Sequence, residues 1–427
     1  MALRALTEII TFFVFSSFRA FVMKFHRDTI ATRNPQTESA GLYIHVPFCV
    51  RKCPYCDFYS ITDLSLITAY LSALKKEMQT VSHGHNRFDT IYIGGGTPSV
   101  LSSSQIADLL DHAARHFPLA ADVEITIEVN PGTTDQDRLK GYFQAGIHRI
   151  NIGIQSFNSK FLSFLKRIHS RDQARQVVAY ARNAGFENLG IDLIYGIPGQ
   201  NDSIWRQDLE TAVAFSPEHL SCYLLSYEHG TPMEKALSDN QFEPLAEETT
   251  ARLFELTHVY LQDSGYVHYE ISNFAKKNCP GNTSTPAGYR SRHNMKYWTF
   301  APYTGLGPSA HSFSAPIRSW NHADVRRYIA CLDMGTIPIQ GKEALTQTQQ
   351  MMEAIYLGLR TAEGMDIPWF EKQFQIDFQK RFSDALADMV SRGWVTVAQG
   401  RCALTLKGML LLDGIAARLI DEIENDR

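Results

Sequence analysis

From Gly41 onward, short β-branched and aliphatic runs alternate with stretches whose apolar positions recur at helical spacing. Six runs read as strands: Leu42 to Val46, Thr90 to Ile93, Glu124 to Val129, Arg149 to Ile154, Leu189 to Ile194 and Leu220 to Leu225. Amphipathic stretches such as Ser103 to Phe117 and Arg171 to Ala184 lie between them. Alternation of this kind predicts a parallel sheet with right-handed crossovers. Near-continuous apolar runs such as GIDLIYGI are what strands covered on both faces look like. The predicted fold class is therefore α/β, a partial (β/α)6 TIM-like barrel that falls short of a closed eight.

After Leu345 the pattern changes. Helical stretches (Gln347 to Arg360, Trp369 to Phe374, Phe378 to Arg392) precede two short strands, Trp394 to Val397 and Cys402 to Leu406, and a last helix from Lys407. This predicts a mainly helical, winged-helix-like domain over 345–427, joined to a core barrel over 41–272 by a connecting region over 273–344. Residues 1–40 read as an extension outside the fold. Their apolar run, Ile9 to Phe18, is shorter than the roughly 20 residues a membrane span needs and lacks a cleavage site. An over-long start, with Met23 as the true one, is the favoured reading; an organelle presequence or peripheral membrane contact stays open.

Composition narrows the classes. With 44% hydrophobic and 20% charged residues in 427, the chain is an ordinary globular protein. A net charge of -4 gives no reason to expect nucleic acid as a partner. The winged-helix-like region, where DNA binding would be sought, holds nine Lys plus Arg against twelve Asp plus Glu. That excess of acid is the wrong sign for a phosphate-binding surface.

The unusual residues cluster just past the strand ends, where barrel enzymes assemble their sites. Cys49, Cys53 and Cys56 follow the first strand at C-x3-C-x2-C spacing, and Gly94-Gly95-Gly96-Thr97-Pro98 follows the second. Glu128, Gln155 and Asp192 come at the ends of the third, fourth and fifth. Three thiols on one loop, with four further cysteines scattered, suit a metal site in a reducing compartment such as the cytoplasm better than a disulfide framework. Three thiolates can hold three irons of a four-iron cluster and leave the fourth open to a small molecule. Zinc, with His45 as a fourth ligand, is the main alternative, and a chance grouping of buried cysteines is the third. Iron-sulfur is preferred because His45 falls inside the predicted strand. The glycines at 94 to 96 would let backbone approach a ligand closely.

This combination resembles the radical S-adenosylmethionine superfamily. The longer strings GLYIHVPFC, YIGGGTPS, IEVNPG, NIGIQSFN, KRIH and IDLIYGIPGQ are similar to the branch that holds oxygen-independent coproporphyrinogen dehydrogenases and HemW-type haem chaperones. The resemblance implies a [4Fe-4S] cluster on Cys49, Cys53 and Cys56, with S-adenosyl-L-methionine chelating the open iron and cleaved there to a 5'-deoxyadenosyl radical. It also implies that Tyr43, Tyr55, Gly95, Gly96, Thr97, Glu128, Gln155, Arg167 and Asp192 line the pocket of that cofactor. The dehydrogenases are expected to carry one more cysteine, two positions after the third, where this chain has Phe58. Dehydrogenase activity is therefore not expected. The chaperone branch is expected to carry HNxxYW, which stands here as His293-Asn-Met-Lys-Tyr297-Trp298. By resemblance His293 would bind haem b; from spacing alone it would only hydrogen-bond a loop while Tyr297 and Trp298 pack. The leading expectation is a haem chaperone serving haem-requiring proteins such as respiratory enzymes, with radical decarboxylation of coproporphyrinogen III as the alternative. Whether the chain is an enzyme, and whether it forms a homodimer, is left open. A polar loop before HNxxYW contains Cys279, read as an exposed thiol.

Overall fold

The computed structural model describes residues 39–81, 87–277 and 288–424. Most of the N-terminal extension and the loop segment with Cys279 lie outside them.

The six expected strands are all present: β1 (Ala40–Val46), β2 (Phe88–Gly95), β3 (Leu119–Val129), β4 (Arg149–Gln155), β5 (Asn188–Tyr195) and β6 (His219–Leu224). They pair in sequence order and in parallel. The crossovers are α1 (Ile67–Val81), α2 (Ser103–His116), α3 (Gln136–Gln144), α4 (Arg171–Ala184) and α5 (Asp202–Ala214). Local chemistry sets their limits. Ser102 with Gln105, and Ser170 with Gln173, form capping boxes that start α2 and α4, and Gly185 ends α4 at φ 107°. Along each strand, side chains alternate between the helices and the barrel interior. On β1, Leu42, Ile44 and Val46 join the large apolar core, whereas Tyr43 and His45 turn inward to polar partners.

The stretch after residue 273 contributes more than a connection. Helix α6 (Glu247–Asp263) leads to the hairpin β7 (Tyr266–Glu270) and β8 (Asn273–Lys276), which lies antiparallel beyond β6. Next comes α7 (Arg292–Trp298), and then β9 (Tyr303–Leu306) pairs with β1 as a seventh parallel strand. Strands β10 (His311–Ser314), β11 (Ile317–Asn321) and β12 (Ile339–Ala344) extend that edge antiparallel. The result is one open sheet of 12 strands. Sequence pattern did not reveal β9, because four residues containing Gly305 carry too little periodicity.

Helix α8 (Val325–Asp333) packs on α1 and is tied to it by Glu77, which accepts from Tyr328 Oη (2.6 Å), Asn321 Nδ2 (2.6 Å) and the Gly307 amide (2.8 Å). A second apolar core runs from Met352 to Ile423. It gathers α9 (Gln347–Leu359), α10 (Ile367–Phe374), α11 (Ser383–Ser391) and α12 (Leu412–Glu424) around a small antiparallel sheet of β13 (Met365–Asp366), β14 (Val395–Ala398) and β15 (Arg401–Leu404). The single helix expected over Phe378 to Arg392 is broken at Phe382, whose φ of -107° and ψ of 20° leave the helical region. The break lets Phe378 and Phe382 both pack on Phe370.

Candidate functional site

The cysteine loop leaves β1 and is tied down on all sides. The Cys49 amide donates to Ile61 O (2.9 Å), the Thr97 amide to Phe48 O (2.7 Å), the Met233 amide to Pro54 O (3.0 Å), and Arg51 reaches Lys166 O (2.8 Å) and Arg167 O (3.0 Å). Two thiols already receive hydrogen bonds. Thr97 Oγ1 donates to Cys49 Sγ (3.3 Å) and Arg167 Nη1 to Cys53 Sγ (3.4 Å), donors that would stabilise thiolates and set the potential of a cluster held there. Burial pushes the Cys56 thiol up to about 12. Among the described residues no three His, Cys, Asp or Glu side chains converge as ligands of a single metal ion. A cubane makes a different demand, since each thiolate takes a separate iron.

The zinc alternative depended on His45. Its Nε2 donates to Tyr59 O (2.8 Å), so Nδ1 accepts from Tyr43 Oη (3.0 Å), and burial pushes the ring down to about 4. Both nitrogens are used inside the protein, as a packed histidine behind the loop would have them. The glycines also owe their identity to this packing. A Cβ at Gly95, where φ is +109°, would stand 2.7 Å from the His45 ring, and one at Gly96 would stand 2.8 Å from Phe48 O. Gly95 and Gly96 are thus required by β1 and its loop, a more immediate demand than approach to a ligand.

Beside the loop, at the carboxyl ends of β3 to β5, lie Glu128, Gln155, Arg167 and Asp192. Glu128 accepts from Tyr92 Oη (2.7 Å) and the Gly95 amide (3.3 Å). Burial raises its carboxyl to about 7 against the Tyr92 hydrogen bond, with the Asp192 charge adding to the rise. Burial likewise raises Asp192 to about 6. Arg167 donates to Gly153 O (2.7 Å) and lies 3.4 Å from Tyr55 Oη. Gln155 holds a φ of 72°, backbone strain in a residue with a Cβ, next to a sharp change of direction after β4. Asp192 Oδ1, Gln155 Oε1 and Arg167 Nε are buried without a hydrogen-bond partner. Orphaned polar atoms of both signs, grouped at strand ends, fit a polar ligand with its own donors and acceptors. S-adenosyl-L-methionine, with an ammonium, a carboxylate and ribose hydroxyls, has that chemistry.

His293 stands elsewhere. It lies on α7 beneath the amino-terminal ends of β1 to β3, away from the strand ends that carry the cysteine loop. Its ring fills the space left by Gly41, where a Cβ would stand 2.9 Å from Cε1. Nδ1 is 2.8 Å from Thr90 Oγ1 and Nε2 is 3.0 Å from Tyr297 Oη. The residue is 1% exposed, and burial pushes its ring down to about 3. In this conformation both ring nitrogens are engaged inside the protein, so iron would have to displace Thr90 or Tyr297 to reach them. Tyr297 packs edge-on to Tyr303 (4.7 Å between centroids), and Arg360 covers Trp298 at 4.4 Å. Tyr297 and Trp298 pack as spacing alone suggested, but His293 bonds Thr90 on β2 and Tyr297 on its own helix rather than a loop.

Two interior residues escaped sequence reasoning. Tyr92 holds Glu128 and stacks on His293 with centroids 5.2 Å apart. Arg149, at the start of β4, is 1% exposed. The available signal was parity: both share the inward face of their strands with recognised residues, Tyr92 with Gly94 and Arg149 with Gln155.

Comparison with known proteins accords with this geometry. Residues 43–212 match the Radical SAM superfamily and residues 345–411 the HemN C-terminal domain. The chain is 32% identical over 383 residues to the heme chaperone HemW of Lactococcus lactis, covering 89% of this chain and 97% of that protein. It is 38% identical over 284 residues to HemW of Escherichia coli, covering 64% of this chain and 69% of that protein. Among solved structures, coproporphyrinogen III oxidase (HemN) of Escherichia coli, a radical SAM enzyme, superimposes with a TM-score of 0.76 at 24% identity, covering 91% of each chain. That last likeness establishes the fold, and the end-to-end identity to the chaperones establishes the narrower group: the chain belongs to the HemW family of radical SAM proteins.

Proposed function

We propose that this protein is a haem chaperone, which binds haem b and passes it to haem-requiring proteins such as respiratory enzymes. The observation that carries the reading is likeness along nearly the full length of a relative named a heme chaperone. Phe58 supports it, since this side chain, 47% exposed on the cysteine loop, replaces the further cysteine expected of the dehydrogenases. Cys49, Cys53 and Cys56 would hold a [4Fe-4S] cluster, which when bound supplies an electron and an open coordination position. Glu128, Gln155, Arg167 and Asp192 would orient S-adenosyl-L-methionine beside it, and Tyr43 would act behind them by fixing His45 against Gly95.

Division into barrel, connecting region and C-terminal domain at 272 and 344, and residence in the cytoplasm, belong to the same proposal. No helix among the described residues is long and apolar enough to cross a membrane. Haem ligation by His293 requires α7 to withdraw from Gly41, breaking the bonds to Thr90 and Tyr297.

The test is haem titration of the anaerobically reconstituted protein, wild type against His293→Ala, followed by visible absorbance. Stoichiometric uptake by the wild type is expected. Uptake lost in His293→Ala would mean that α7 opens; uptake retained would place the iron ligand elsewhere. A cluster-loaded wild type that takes up no haem would overturn the reading and return attention to porphyrinogen decarboxylation.

A further inference from the structure

Helix α7 docks beneath β1 and β2, and one layer of rings separates it from the ligand recess. In the register of the two strands Gly41 pairs with Thr90 and, one side-chain layer up, Tyr43 pairs with Tyr92. The lower pair makes the slot for His293: Gly41 leaves room for its ring, and Thr90 Oγ1 lies 2.8 Å from Nδ1. The upper pair roofs that slot. The Tyr92 ring stacks on His293 with centroids 5.2 Å apart and planes 28° apart, and the Tyr43 ring lies 6.3 Å from each of them.

Above the roof is the recess. Tyr92 Oη donates to Glu128 Oε1 (2.7 Å), while the Gly95 amide reaches Oε2 (3.3 Å). Gly94 has no side chain to intrude: a Cβ there would stand 2.9 Å from Tyr92 Cε1 and 3.2 Å from the Glu128 carboxyl carbon. Tyr92 thus works at two ends, with its hydroxyl on a carboxyl of the recess and its ring face on the histidine of α7. Tyr43, the other half of the roof, bonds His45 instead.

These contacts make the two sites interdependent. A carboxylate offers about four lone-pair directions, so Glu128 can accept from ligand donors as well as from Tyr92 and Gly95. Ligand donors favour the ionised carboxylate, and a hydrogen bond to an ionised acceptor is the stronger kind. A filled recess therefore pins Tyr92. Withdrawal of α7 takes the His293 ring from under Tyr92 and leaves a void, into which the Tyr92 ring can relax only by leaving Glu128. With Tyr92 pinned the void stays empty, and withdrawal costs more.

We propose that Tyr92 couples the two sites: S-adenosyl-L-methionine bound at Glu128 holds Tyr92 over His293 and keeps α7 docked, so that cofactor occupancy opposes exposure of His293. The inference rests on the cofactor reading given above. The coupling is reciprocal, as equilibrium linkage between two sites requires.

The test is hydrogen exchange of the α7 amides, followed by mass spectrometry on the cluster-loaded, oxidised protein with and without saturating S-adenosyl-L-methionine, whose binding is checked by calorimetry. In the wild type the ligand should slow this exchange about tenfold, a coupling of ordinary size. Tyr92→Phe keeps the stacked ring and removes the bond to Glu128, so the ligand should leave its α7 exchange unchanged. Thr90→Val controls for mere loosening: it removes a bond from the slot and none from the roof, so exchange should rise in both states while the tenfold ratio persists. Ligand that binds the wild type without slowing α7, or that slows it equally in Tyr92→Phe, would overturn the inference and leave the cofactor reading intact. Loss of the ratio in Thr90→Val would also overturn it, because any loosening would then suffice. A Tyr92→Phe protein that no longer binds the ligand would overturn it too, by making Tyr92 part of the binding site rather than a link. A wild type that binds no S-adenosyl-L-methionine would sink the cofactor reading, and the inference with it.

Discussion

The carboxyl ends of the barrel strands and the corner where α7 docks beneath β1 and β2 are built on opposite terms. At the carboxyl ends of the strands, polar atoms of Gln155, Arg167 and Asp192 are buried without partners, and Gln155 sits at a positive φ. At the amino ends, His293 has a partner at both ring nitrogens, Lys296 pairs with Asp89 at 2.6 Å, and Lys296 Nζ also donates to Ser39 O. Unsatisfied polar atoms cost stability and persist where a ligand completes them, whereas satisfied ones contribute to the fold directly. The upper end therefore has the character of a site, and the corner where α7 docks beneath β1 and β2 that of a floor. The HNxxYW segment belongs, in this conformation, to the floor.

Three substitutions sharpen or break that contrast. The largest effect is expected from Cys53→Ala: iron and sulfide content after reconstitution should fall to background, because two thiolates cannot hold the cubane. The unfolding free energy of the cluster-free chain should change by no more than about 0.5 kcal/mol, as the side chain sits half-buried on a loop. Retained cluster would break the assignment of the loop. His293→Ala should do the reverse. It opens a cavity beside Gly41 and removes the partner of the Thr90 hydroxyl, costing about 2–4 kcal/mol in urea unfolding. Cluster content should be unchanged. A stability loss near zero would mean that α7 is not docked as described.

The smallest effect concerns pH. The folded state raises Asp192 above its ordinary range to about 6, so it holds a proton more tightly than the unfolded chain does. Stability from this group is present below about pH 4 and is lost as pH rises toward 6. Asp192→Asn removes that loss, so the variant should exceed the wild type by about 1–2 kcal/mol at pH 8 and by nothing at pH 4, while binding S-adenosyl-L-methionine far more weakly. Denaturant midpoints at the two pH values check the sign.

The limits of the sequence follow the same division. Strands β1 to β6, helices α2 and α4 and the cysteine loop were legible, because each is written in residues close together: short apolar runs, apolar positions at helical spacing, three thiols within eight residues. The grouping of Glu128, Gln155 and Asp192 was legible too, since parallel strands in sequence order bring their ends to one side. The place of His293 was not. Its partners are Gly41, Thr90 and Glu124, each more than 160 residues away, and only the packing of α7 beneath the sheet brings them together. Arg149 shows the same limit, since a lone arginine opening a strand reads as a solvated end until the neighbouring strands close around it. Sequence by itself determined the repeating units and the chemistry they carry, because those depend on local spacing and strand order. Tertiary structure alone decided which polar groups were satisfied and which were left for a ligand, because that depends on what the rest of the chain packs against them.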